Sequence, residues 1–502
     1  MAKEKRHKMN STPRIAILGG GLAGLTAAYE LAKRKINFTL YEKEAVFGGK
    51  AVSFFTKEGF PGEHGLRIFP SQYKNMFRIM REMGVLDNLQ GQTVFRFFQD
   101  HSPIEFPTSF GIINLLKLYL AKAKLSKIVP KHEMDYFFKQ INRIGSMSQA
   151  ERLNLDQLSW WDYMDTDHKS EAFKKYLIKA SRILNAMDPI TGSALTVGVQ
   201  IYQVMKSIKT PFSMGYCNML NAPTSISLLE PLISRIRDFS SDSLQANKEV
   251  SEIKVNQTDA GSKISEIQFA DGSHIQVDQV IFALPLEVIA KKFPTIPYIQ
   301  ELTQSLGLFS GVQLFLKGDD YQFPLGISVL YDSPWDLSLI FQNPNLWTAY
   351  KLPAPLSAVI SVGMVTWDKP GLITKKPILE CSKEEIKMEL IAQINLHKGL
   401  RLPETSVHDY LVDPTLEFSP DGKRVVYSNN RLFIPTTDSY RKRPKTIDPH
   451  MPINAFLAGD FTRTAYNVTS MEGAVESGLL AVNAVLEAIQ SSQAKCPIYE
   501  LG

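Results

Sequence analysis

The 502-residue sequence predicts an α/β fold: a Rossmann-type dinucleotide-binding domain, discontinuous in the chain, joined to a second, α+β domain. Three observations predict this fold. A glycine fingerprint follows the first apolar strand, an acidic residue ends the next strand, and a strand–Gly–Asp–helix unit stands near the other end of the chain. Two units so far apart in sequence can serve one cofactor only if separate stretches assemble into one domain.

The fingerprint has the form G-x-G-x-x-G. An apolar strand over residues 14–18 runs into Gly19, Gly21 and Gly24, and a helix is predicted from about Leu22 to Lys35. The first glycine allows a tight turn, the second lets backbone approach a pyrophosphate, and the third lets the helix pack against the sheet. The N-terminus of that helix presents free N–H groups to phosphates. Such a fingerprint also occurs by chance in loops, so its context has to support it.

The context is complete. A second apolar strand, Phe38–Tyr41, ends on Glu42, where a carboxylate can accept hydrogen bonds from ribose hydroxyls. Six residues later come Gly48 and Gly49, followed by Lys50, and this glycine pair lets backbone approach the cofactor a second time. An ordinary βαβ turn would need neither feature. The stretch therefore predicts a dinucleotide site.

The matching unit near the C-terminus lies within residues 454–488. An apolar strand, Ala455–Ala458, ends in Gly459–Asp460, and a long helix is predicted from near Ser470 to about residue 489. Thr469 and Glu472 have the spacing of a capping box, which marks the start of a helix. The alternative is a surface capping motif after a buried strand. The presence of the N-terminal fingerprint favours a cofactor site over this alternative. The positive N-terminal end of the long helix would then stabilise negative charge on the cofactor.

Bulk properties exclude several classes of function. The net charge is only +5, and the basic clusters at residues 3–8 and 441–445 lack interleaved aromatic residues, so we expect solvated segments and no nucleic-acid partner. The three cysteines show no C-x-x-C spacing and the nine histidines no H-E-x-x-H, which predicts neither a disulfide framework nor a metal site. The N-terminus lacks the apolar core of a signal peptide, so residues 1–12 are predicted to be a disordered tail and the protein cytoplasmic.

The domain organisation follows from the positions of the motifs. We expect residues 13–99, 223–290 and 426–490 to form the dinucleotide-binding domain, and residues 100–222 and 291–425 to form the substrate-binding domain. Residues 223–290 carry a helix, a strand hairpin and an apolar strand that ends at Pro285. The stretch 100–222 has mainly helical patterns, whereas 291–425 mixes strands with a helix near residues 383–396.

The motifs together resemble those of the flavin amine-oxidase/phytoene-desaturase superfamily, with phytoene-desaturase-like and hydroxysqualene-dehydroxylase-like oxidoreductases the most similar members. The resemblance rests on GGGLAGLTAAYELA, YEKEAVFGGKA, FPGEHGLRIFP, SPWDLSLIFQ and FLAGDFTRT…MEGAVESG, which span most of the chain. The second motif is similar to the E-x5-G-G-R/K extension of FAD enzymes with a glutathione-reductase-like fold, although Lys50 stands where many relatives have Arg. The resemblance implies FAD, and the lack of an attachment cysteine in the C-terminal motif predicts non-covalent binding.

Motifs and resemblance together assign the cofactor contacts. In the superfamily the Val250 strand meets the adenine, Asp460 the ribityl–phosphate region, and the last helix the flavin pyrimidine. The full set expected to bind FAD is Gly19, Gly21, Leu22, Ala23, Gly24, Glu42, Lys43, Gly48, Gly49, Lys50, Gly65, Leu66, Arg67, Val250, Gly459, Asp460, Met471, Glu472 and Gly473. Only one dinucleotide fingerprint is visible, which favours oxygen or a quinone over a nicotinamide as the oxidant.

Candidate catalytic residues stand in the stretch 59–70, which in the superfamily passes beside the flavin ring. Glu63, His64 and Arg67 are polar groups in apolar surroundings, and buried charge must be paired or functional. One interpretation is a polar cluster that orients substrate, with His64 as an acid or base near neutral pH. The other is structural, with Arg67 paired to Glu63 to hold the loop.

Residues 106–131 show apolar residues at helical spacing, with five lysines interspersed or following. An amphipathic helix of this kind could rest on an anionic membrane and admit a lipophilic substrate. The alternative, which we favour from the sequence, is a helix whose apolar face covers the substrate domain.

The resemblance implies an FAD-dependent oxidoreductase that moves a hydride from a lipophilic, isoprenoid-like substrate to flavin N5 and leaves a double bond. An amine oxidase, a redox-neutral isomerase or dehydroxylase, and a non-catalytic FAD-binding protein remain alternatives. The sequence predicts neither the oligomeric state nor the substrate itself.

Overall fold

The computed structural model describes residues 12–92, 94–99, 103–209, 215–428 and 431–500. Of the predicted disordered tail, residues 1–11 lie outside the described part of the chain. The β-strands are β1 Ile15–Leu18, β2 Phe38–Tyr41, β3 Ser53–Phe55, β4 Pro61–Glu63, β5 Leu89–Gly91, β6 Val94–Phe98, β7 Ile104–Pro107, β8 Asn218–Leu220, β9 Leu244–Gln245, β10 Val250–Thr258, β11 Gly261–Phe269, β12 His274–Gln276, β13 Gln279–Phe282, β14 Leu306–Leu308, β15 Ser310–Lys317, β16 Gly326–Leu330, β17 Ser338–Gln342, β18 Leu356–Met364, β19 Val407–Val412, β20 Leu416–Phe418, β21 Val425–Ser428, β22 Arg431–Phe433 and β23 Ala455–Leu457.

The α-helices are α1 Leu22–Lys33, α2 Lys74–Met83, α3 Ile112–Leu125, α4 Lys131–Ser146, α5 Gln149–Asn154, α6 Trp160–Tyr163, α7 Glu171–Asn185, α8 Ala194–Lys209, α9 Glu230–Phe239, α10 Leu286–Lys292, α11 Pro297–Leu302, α12 Lys383–Asn395, α13 Ser439–Lys442 and α14 Met471–Ala488. A π-helical turn, Ser225–Leu229, precedes α9. Short 3₁₀ turns connect several of the other elements.

The first of the two large sheets is a five-stranded parallel sheet with the strand order β23-β13-β1-β2-β9. Side chains alternate between the two faces of a strand, and β1 follows this rule. Ile15 and Ile17 pack with α1, α2, α9 and α14, whereas Ala16 and Leu18 pack with α10, α11 and the β10–β11 hairpin. The strands of this sheet come from three separated stretches of the chain.

A second, seven-stranded sheet has the order β19-β15-β18-β17-β16-β6-β7. Its pairs are antiparallel except β6 with β16. One face packs on α12 through Ile386, Leu390 and Ile394, and the other meets Tyr216, Met219 and Trp347. Helices α3 to α8 form a separate cluster around the fully buried Trp160 and Phe173.

One strand differs from the sequence-based expectation, and one hairpin agrees with it. β6, which falls within the predicted stretch 13–99, belongs to the seven-stranded sheet, so sheet membership moves that domain boundary to before Val94. β10, which begins at Val250, forms the predicted hairpin with β11 within a three-stranded antiparallel sheet, while the short β9 lies next to β2.

Helix α3 corrects a further expectation. Its apolar residues were expected to cover the substrate domain, but Ile112 is 86% exposed and Tyr119 70%, and Leu115, Leu116 and Leu120 are also exposed. Only Leu118, Ala121 and Leu125 of this helix are buried. The helix therefore contacts the protein through a narrow stripe and presents a wide apolar face outward. None of the helices in the described ranges is both long and apolar enough to cross a membrane.

Candidate functional site

The glycine fingerprint forms the turn between β1 and α1. Gly19 has a φ of +102°, and its N–H donates to the Tyr41 carbonyl at 2.8 Å, which ties the turn to β2. A Cβ on Gly24 would lie 2.0 Å from the Gly19 carbonyl oxygen, so only glycine allows α1 to start this close to the turn. The N-cap residue is Gly21, which has no side chain to cap the helix, so the first N–H groups of α1, those of Leu22, Ala23 and Gly24, remain available to an anion.

Glu42 lies at the end of β2 against this turn. Its Oε2 accepts from the Gly20 N–H at 2.6 Å and its Oε1 from the Glu44 N–H at 3.0 Å, so the carboxylate is held beside the fingerprint. Lys43 instead forms an exposed ion pair with Glu44. The Lys248 N–H donates to the Glu42 carbonyl at 2.7 Å, which brings the start of the Val250 strand to the same place.

The second glycine pair lies directly on the first segment. The Gly48 N–H donates to the Gly20 carbonyl at 2.8 Å, and a Cβ on Gly49 would come within 2.9 Å of the Gly21 Cα. Gly48 and Gly49 both have positive φ values. Two backbone segments without side chains therefore meet at the N-terminus of α1, which is where a pyrophosphate would be bound.

The C-terminal unit meets the N-terminal one through helix packing. A Cβ on Gly478 of α14 would lie 2.5 Å from the Ala23 carbonyl, so α14 packs across the first turn of α1. Gly459, with a φ of +129°, donates its N–H to Ser477 Oγ at 2.8 Å. The loop that carries Asp460 is thereby fixed to α14 and lies near the glycine turn.

The cap of α14 differs from the predicted capping box. The N-cap is Ser470, whose Oγ accepts from the Gly473 N–H at 3.1 Å, while Thr469 donates its hydroxyl to the Phe433 carbonyl. Glu472 points away from the cap and accepts hydrogen bonds from the Asn75 N–H, the Asn75 Nδ2 and the Met76 N–H, each at 2.9 Å. Burial raises the pKa of Glu472 to about 7, against these three donors, which favour the carboxylate. The side chain of Glu472 thus joins α14 to α2 and leaves its backbone and that of Met471 on the open end of the helix.

Arg443 corrects the expectation that residues 441–445 are solvated. Its guanidinium is buried and donates to the carbonyls of Phe461, Asn467 and Asp460 at 3.1, 2.7 and 2.5 Å. Desolvation lowers the pKa of Arg443 to about 10. Arg443 therefore holds the loop between β23 and α14, a role that a run of basic residues in a sequence does not reveal.

The Glu63–Arg67 pair is the structural one that the sequence offered as an alternative. Arg67 Nε donates to Glu63 Oε2 at 3.1 Å, and Arg67 Nη2 donates to the Lys50 carbonyl at 2.7 Å. Glu63 Oε1 accepts from the Ser53 hydroxyl at 2.9 Å and the Thr224 N–H at 2.8 Å. The pair ties the stretch to the second glycine segment, as the structural interpretation predicts.

His64 faces a partner that sequence analysis missed. Its Nδ1 lies 3.2 Å from both carboxylate oxygens of Asp413, and the ring of Phe54 packs edge-on at 4.1 Å between ring centroids. Asp413 also accepts from the N–H and the hydroxyl of Thr415 at 2.9 and 2.7 Å. Burial raises the pKa of Asp413, but the hydrogen bonds from His64 and Thr415 outweigh it and hold the pKa below its usual value. Asp413 directly follows β19, and no local sequence pattern identifies it as the partner of His64.

Two further contacts qualify the predicted cofactor set. A Cβ on Gly65 would lie 2.5 Å from the Phe309 ring, so the close approach expected there is made by a protein side chain. Lys50 donates its Nζ to the Arg431 carbonyl at 2.6 Å. The remaining assignments of Leu66 and the other predicted contacts stay predictions.

These residues fit FAD. The uncapped N-terminus of α1 and the glycine segments suit a pyrophosphate, the anchored carboxylate of Glu42 suits a ribose, and α14 packs against the first turn of α1 through Gly478. At Gly24 and Gly49 the structure has room for backbone but not for a side chain. A dinucleotide with a flavin end accounts for both halves.

Comparison with known proteins agrees with this geometry. The family model described as flavin containing amine oxidoreductase matches residues 22–486. A 15-cis-phytoene desaturase of Synechococcus elongatus is 24% identical over 486 residues, covering 94% of this chain and 96% of that protein. A probable zeta-carotene desaturase of the same organism is 25% identical, covering 95% and 99%. A solved triple mutant of putrescine oxidase superimposes with a TM-score of 0.63 at 14% identity, covering 95% of this chain and 99% of its own.

The likeness to the solved structure confirms the predicted fold, an FAD-binding Rossmann domain with an α+β substrate domain. The family match confirms the predicted flavin. The chain therefore belongs to the flavin-containing amine oxidoreductase family and is an FAD-dependent oxidoreductase.

Proposed function

We propose that the protein is a desaturase of a lipophilic, isoprenoid-like substrate. One carbon–hydrogen bond breaks with loss of a hydride, a proton leaves the neighbouring carbon, and a carbon–carbon double bond forms between them. FAD, when bound, supplies the hydride acceptor, and oxygen or a quinone takes the two electrons afterwards. The observation that carries this proposal is the near full-length match to phytoene and zeta-carotene desaturases, which favours this function over amine oxidation.

Within this proposal His64 takes up the proton. Asp413 is a carboxylate that can only accept hydrogen bonds, so the proton of the neutral imidazole lies on Nδ1 between the two residues. That arrangement leaves Nε2 as the basic atom, and the same carboxylate stabilises the imidazolium that forms. Asp413 is then a positioning residue, held in its own orientation by Thr415.

Substitution of the pair tests this role. We expect His64→Gln to slow substrate-dependent flavin reduction about 10²- to 10⁴-fold, the usual contribution of a general base. Asp413→Asn should slow it at least about tenfold while dithionite reduces the flavin as in the wild type. His408→Gln, at an exposed histidine, is the matched control. Wild-type rates of flavin reduction in both variants would return His64 to a structural role.

We further propose that FAD is held non-covalently between the glycine segments, Glu42 and the N-terminus of α14, in a domain built from residues 13–93, 223–290 and 426–490. Glu42→Ala should purify with far less flavin per chain than the wild type, because the ribose loses its acceptor. Glu44→Ala, an exposed neighbour, should not. Equal flavin content in the two variants would refute the Glu42 assignment.

Whether the flavin is attached covalently to the chain can be tested separately. The cysteines Cys217, Cys381 and Cys496 are all buried, and burial raises the pKa of the Cys217 and Cys496 thiols to about 12, which keeps them protonated and unreactive. Acid precipitation should therefore release all flavin into the supernatant. Flavin that stays with the precipitated chain would overturn non-covalent binding.

The reaction class is tested by anaerobic bleaching of the flavin absorbance. We expect bleaching by members of a panel of polyenes and terpenoids and none by a panel of primary and secondary amines. Bleaching by amines alone would move the protein to amine oxidation. No bleaching by either panel, with intact reduction by dithionite, would leave a redox-neutral or non-catalytic role. Re-oxidation by oxygen or a short-chain quinone, compared with NADP⁺, tests the oxidant.

Helix α3 supports a further proposal, contact with an anionic membrane surface. We call the exposed residues Ile112, Ile113, Leu116, Tyr119 and Leu120 the α3 face. Monomeric proteins rarely expose a contiguous apolar patch of this kind without a partner. Lys124, Lys127 and Lys131, at and beyond the end of the helix, are exposed and carry the charge that anionic headgroups attract.

Vesicle co-sedimentation tests this contact. The holoenzyme should sediment with vesicles of phosphatidylglycerol and phosphatidylcholine, and less with phosphatidylcholine alone. Ile112→Ser/Leu116→Ser should abolish sedimentation, whereas Ile447→Ser/Ile453→Ser, at two exposed isoleucines elsewhere, should not. Equal sedimentation of both variants would contradict the proposal, and self-association that only the first variant loses would indicate a second copy of the chain instead.

A further inference from the structure

A small cavity lies between the stretch 63–67 and the seven-stranded sheet. Its polar wall consists of Glu63, Arg67, Thr224 and Gln342, and the rest of its lining is apolar, with side chains from β8 and β17 and the ring of Trp347. Its open volume is about 10 Å³, the space of a single water molecule. A space of this size fits one oxygen atom and cannot hold a ring or a chain segment.

Thr224 contributes a buried hydroxyl to the wall of the cavity. Its side chain is 1% exposed, and among the described residues its Oγ1 has no hydrogen-bond partner. A buried hydroxyl left unpaired costs about 1–3 kcal/mol, so an oxygen atom that enters the cavity and pairs with it is stabilised. The hydroxyl belongs to a residue of the cavity wall, where a ligand oxygen would pair with it.

Gln342 is oriented by a chain of buried polar groups. Gln313 Nε2 donates to the Glu63 carbonyl at 3.0 Å, which turns the Gln313 oxygen towards Ser361. The Ser361 hydroxyl lies 2.6 Å from Gln313 Oε1 and 2.9 Å from Gln342 Oε1. One hydroxyl has one proton, so it cannot donate to both oxygens.

The single proton of the Ser361 hydroxyl determines the orientation of the Gln342 amide. Since the shorter contact uses the Ser361 proton, Gln342 must donate its NH₂ to Ser361 Oγ. A half-turn of the amide exchanges its oxygen and nitrogen without moving other atoms. The amide oxygen of Gln342, a cavity-lining group, is then the atom left for the ligand, as an acceptor.

Arg67 supplies the complementary donor without a net charge. Its Nε and Nη2 are used by Glu63 and Lys50, which leaves Nη1 without an acceptor among the described residues. Because the Glu63 carboxylate neutralises the guanidinium, the cavity suits a neutral oxygen better than a carboxylate or phosphate. The donor, Arg67 Nη1, and the acceptor, the amide oxygen of Gln342, together complement an alcohol, because an alcohol both accepts and donates a hydrogen bond.

We propose that Arg67, Thr224 and Gln342 bind a hydroxyl group of the substrate, so that the lipophilic substrate is an alcohol and not a pure hydrocarbon. The inference rests on the proposed function of the site and adds the oxygen function to it. Gln342 is the specificity-determining residue, because only it requires the oxygen to carry a proton.

The test compares three ligands of one chain length on the FAD-loaded protein: geranylgeraniol, its methyl ether, and the hydrocarbon that lacks the oxygen. Perturbation of the flavin absorbance measures each Kd. We expect geranylgeraniol to bind about 10-fold tighter than the ether and the hydrocarbon, the effect of one to two neutral hydrogen bonds. Gln342→Leu should remove that preference and leave hydrocarbon binding unchanged.

Ser361→Ala is the second variant should Gln342→Leu fail to fold, and it should weaken the preference because Gln342 loses its orientation. Gln322→Leu, at an exposed glutamine, is the matched control. Equal Kd values for alcohol and hydrocarbon in the wild type, or an unchanged preference in both variants, would overturn the hydroxyl site and leave the desaturase proposal standing. No binding of any of the three, with flavin fully loaded, would overturn the proposed isoprenoid function, and the hydroxyl site with it.

Discussion

The carboxyl group of Glu472 should make the stability of this protein depend on pH in a defined window. Burial raises the pKa of Glu472 from 4.5 to about 7 in the folded chain. Between these two values the folded chain binds a proton that the unfolded chain does not. Its contribution to stability is therefore fully present below pH 4.5 and is lost as the pH rises through 7.

The magnitude follows from the size of the shift. A difference of about 2.5 pH units corresponds to about 3 kcal/mol at 1.36 kcal/mol per unit. For a chain of 502 residues the unfolding entropy is about 1 kcal/mol per degree, so the loss amounts to about 3 °C in Tm. Glu472→Gln removes the titration, and its amide resembles the protonated acid in shape.

The assay is thermal unfolding of the holoenzyme at pH 5, 6, 7 and 8, with the variant compared with the wild type at each pH because unfolding of a large chain is often irreversible. We expect similar Tm values at pH 5 and a Tm about 3 °C higher for Glu472→Gln at pH 8. Glu487→Gln, an exposed position on the same helix, should shift the Tm equally at every pH. A pH-independent difference for Glu472→Gln would show that the three N–H donors of Asn75 and Met76 outweigh burial and keep the carboxylate ionised throughout.

Two further predictions concern the cofactor cradle. Gly24→Ala should abolish flavin binding, because the new Cβ would lie 2.0 Å from the Gly19 carbonyl oxygen. The control Gly111→Ala, whose Cβ meets nothing closer than 3.7 Å, should bind flavin normally. The assay is the flavin content per purified chain, and full loading of Gly24→Ala would contradict the packing argument. Arg443→Met should lower the Tm by about 3 °C and reduce flavin content, because three carbonyls lose their donor at about 1–3 kcal/mol each while the removal of a buried charge offsets part of the loss. Arg441→Met, at an exposed position, should change neither, and unaltered stability in both would refute the role of Arg443.

The parts of the fold and site that could be predicted from the sequence depend on neighbouring residues. The glycine fingerprint, the second glycine pair and the strand before Gly459 each place a few residues whose geometry the local chain dictates, and the structure forms each of them as expected. The strand–helix–strand order around them fixes a parallel sheet, because the crossover connections allow little else. Local sequence patterns of this kind therefore predict the backbone segments of the candidate cofactor site.

The parts that could not be predicted depend on residues far apart in the chain. Asp413 lies 349 positions from His64, and nothing near either residue indicates that they meet. Arg443 looks like a solvated cation in a basic run, yet three carbonyls of a later loop surround it. The apolar period of α3 predicts a helix but not which face the rest of the protein covers, since only Leu118, Ala121 and Leu125 find partners.

The stretch 63–67 shows why a structural and a functional interpretation need not compete. Its side chains alternate between two directions. Glu63 and Arg67 turn towards Lys50 and the cavity, and His64 turns towards Asp413 at the end of β19. The backbone carbonyl of Glu63 accepts from Gln313 of the seven-stranded sheet. A segment fixed at both sides in this way holds its polar groups in place before any ligand arrives, and groups fixed in advance bind and transfer protons more effectively than groups that must first be ordered. The ion pair that stabilises the loop is therefore also what orients the free nitrogen of Arg67, so that loss of Glu63 should weaken substrate binding even though Glu63 itself has no free donor to offer.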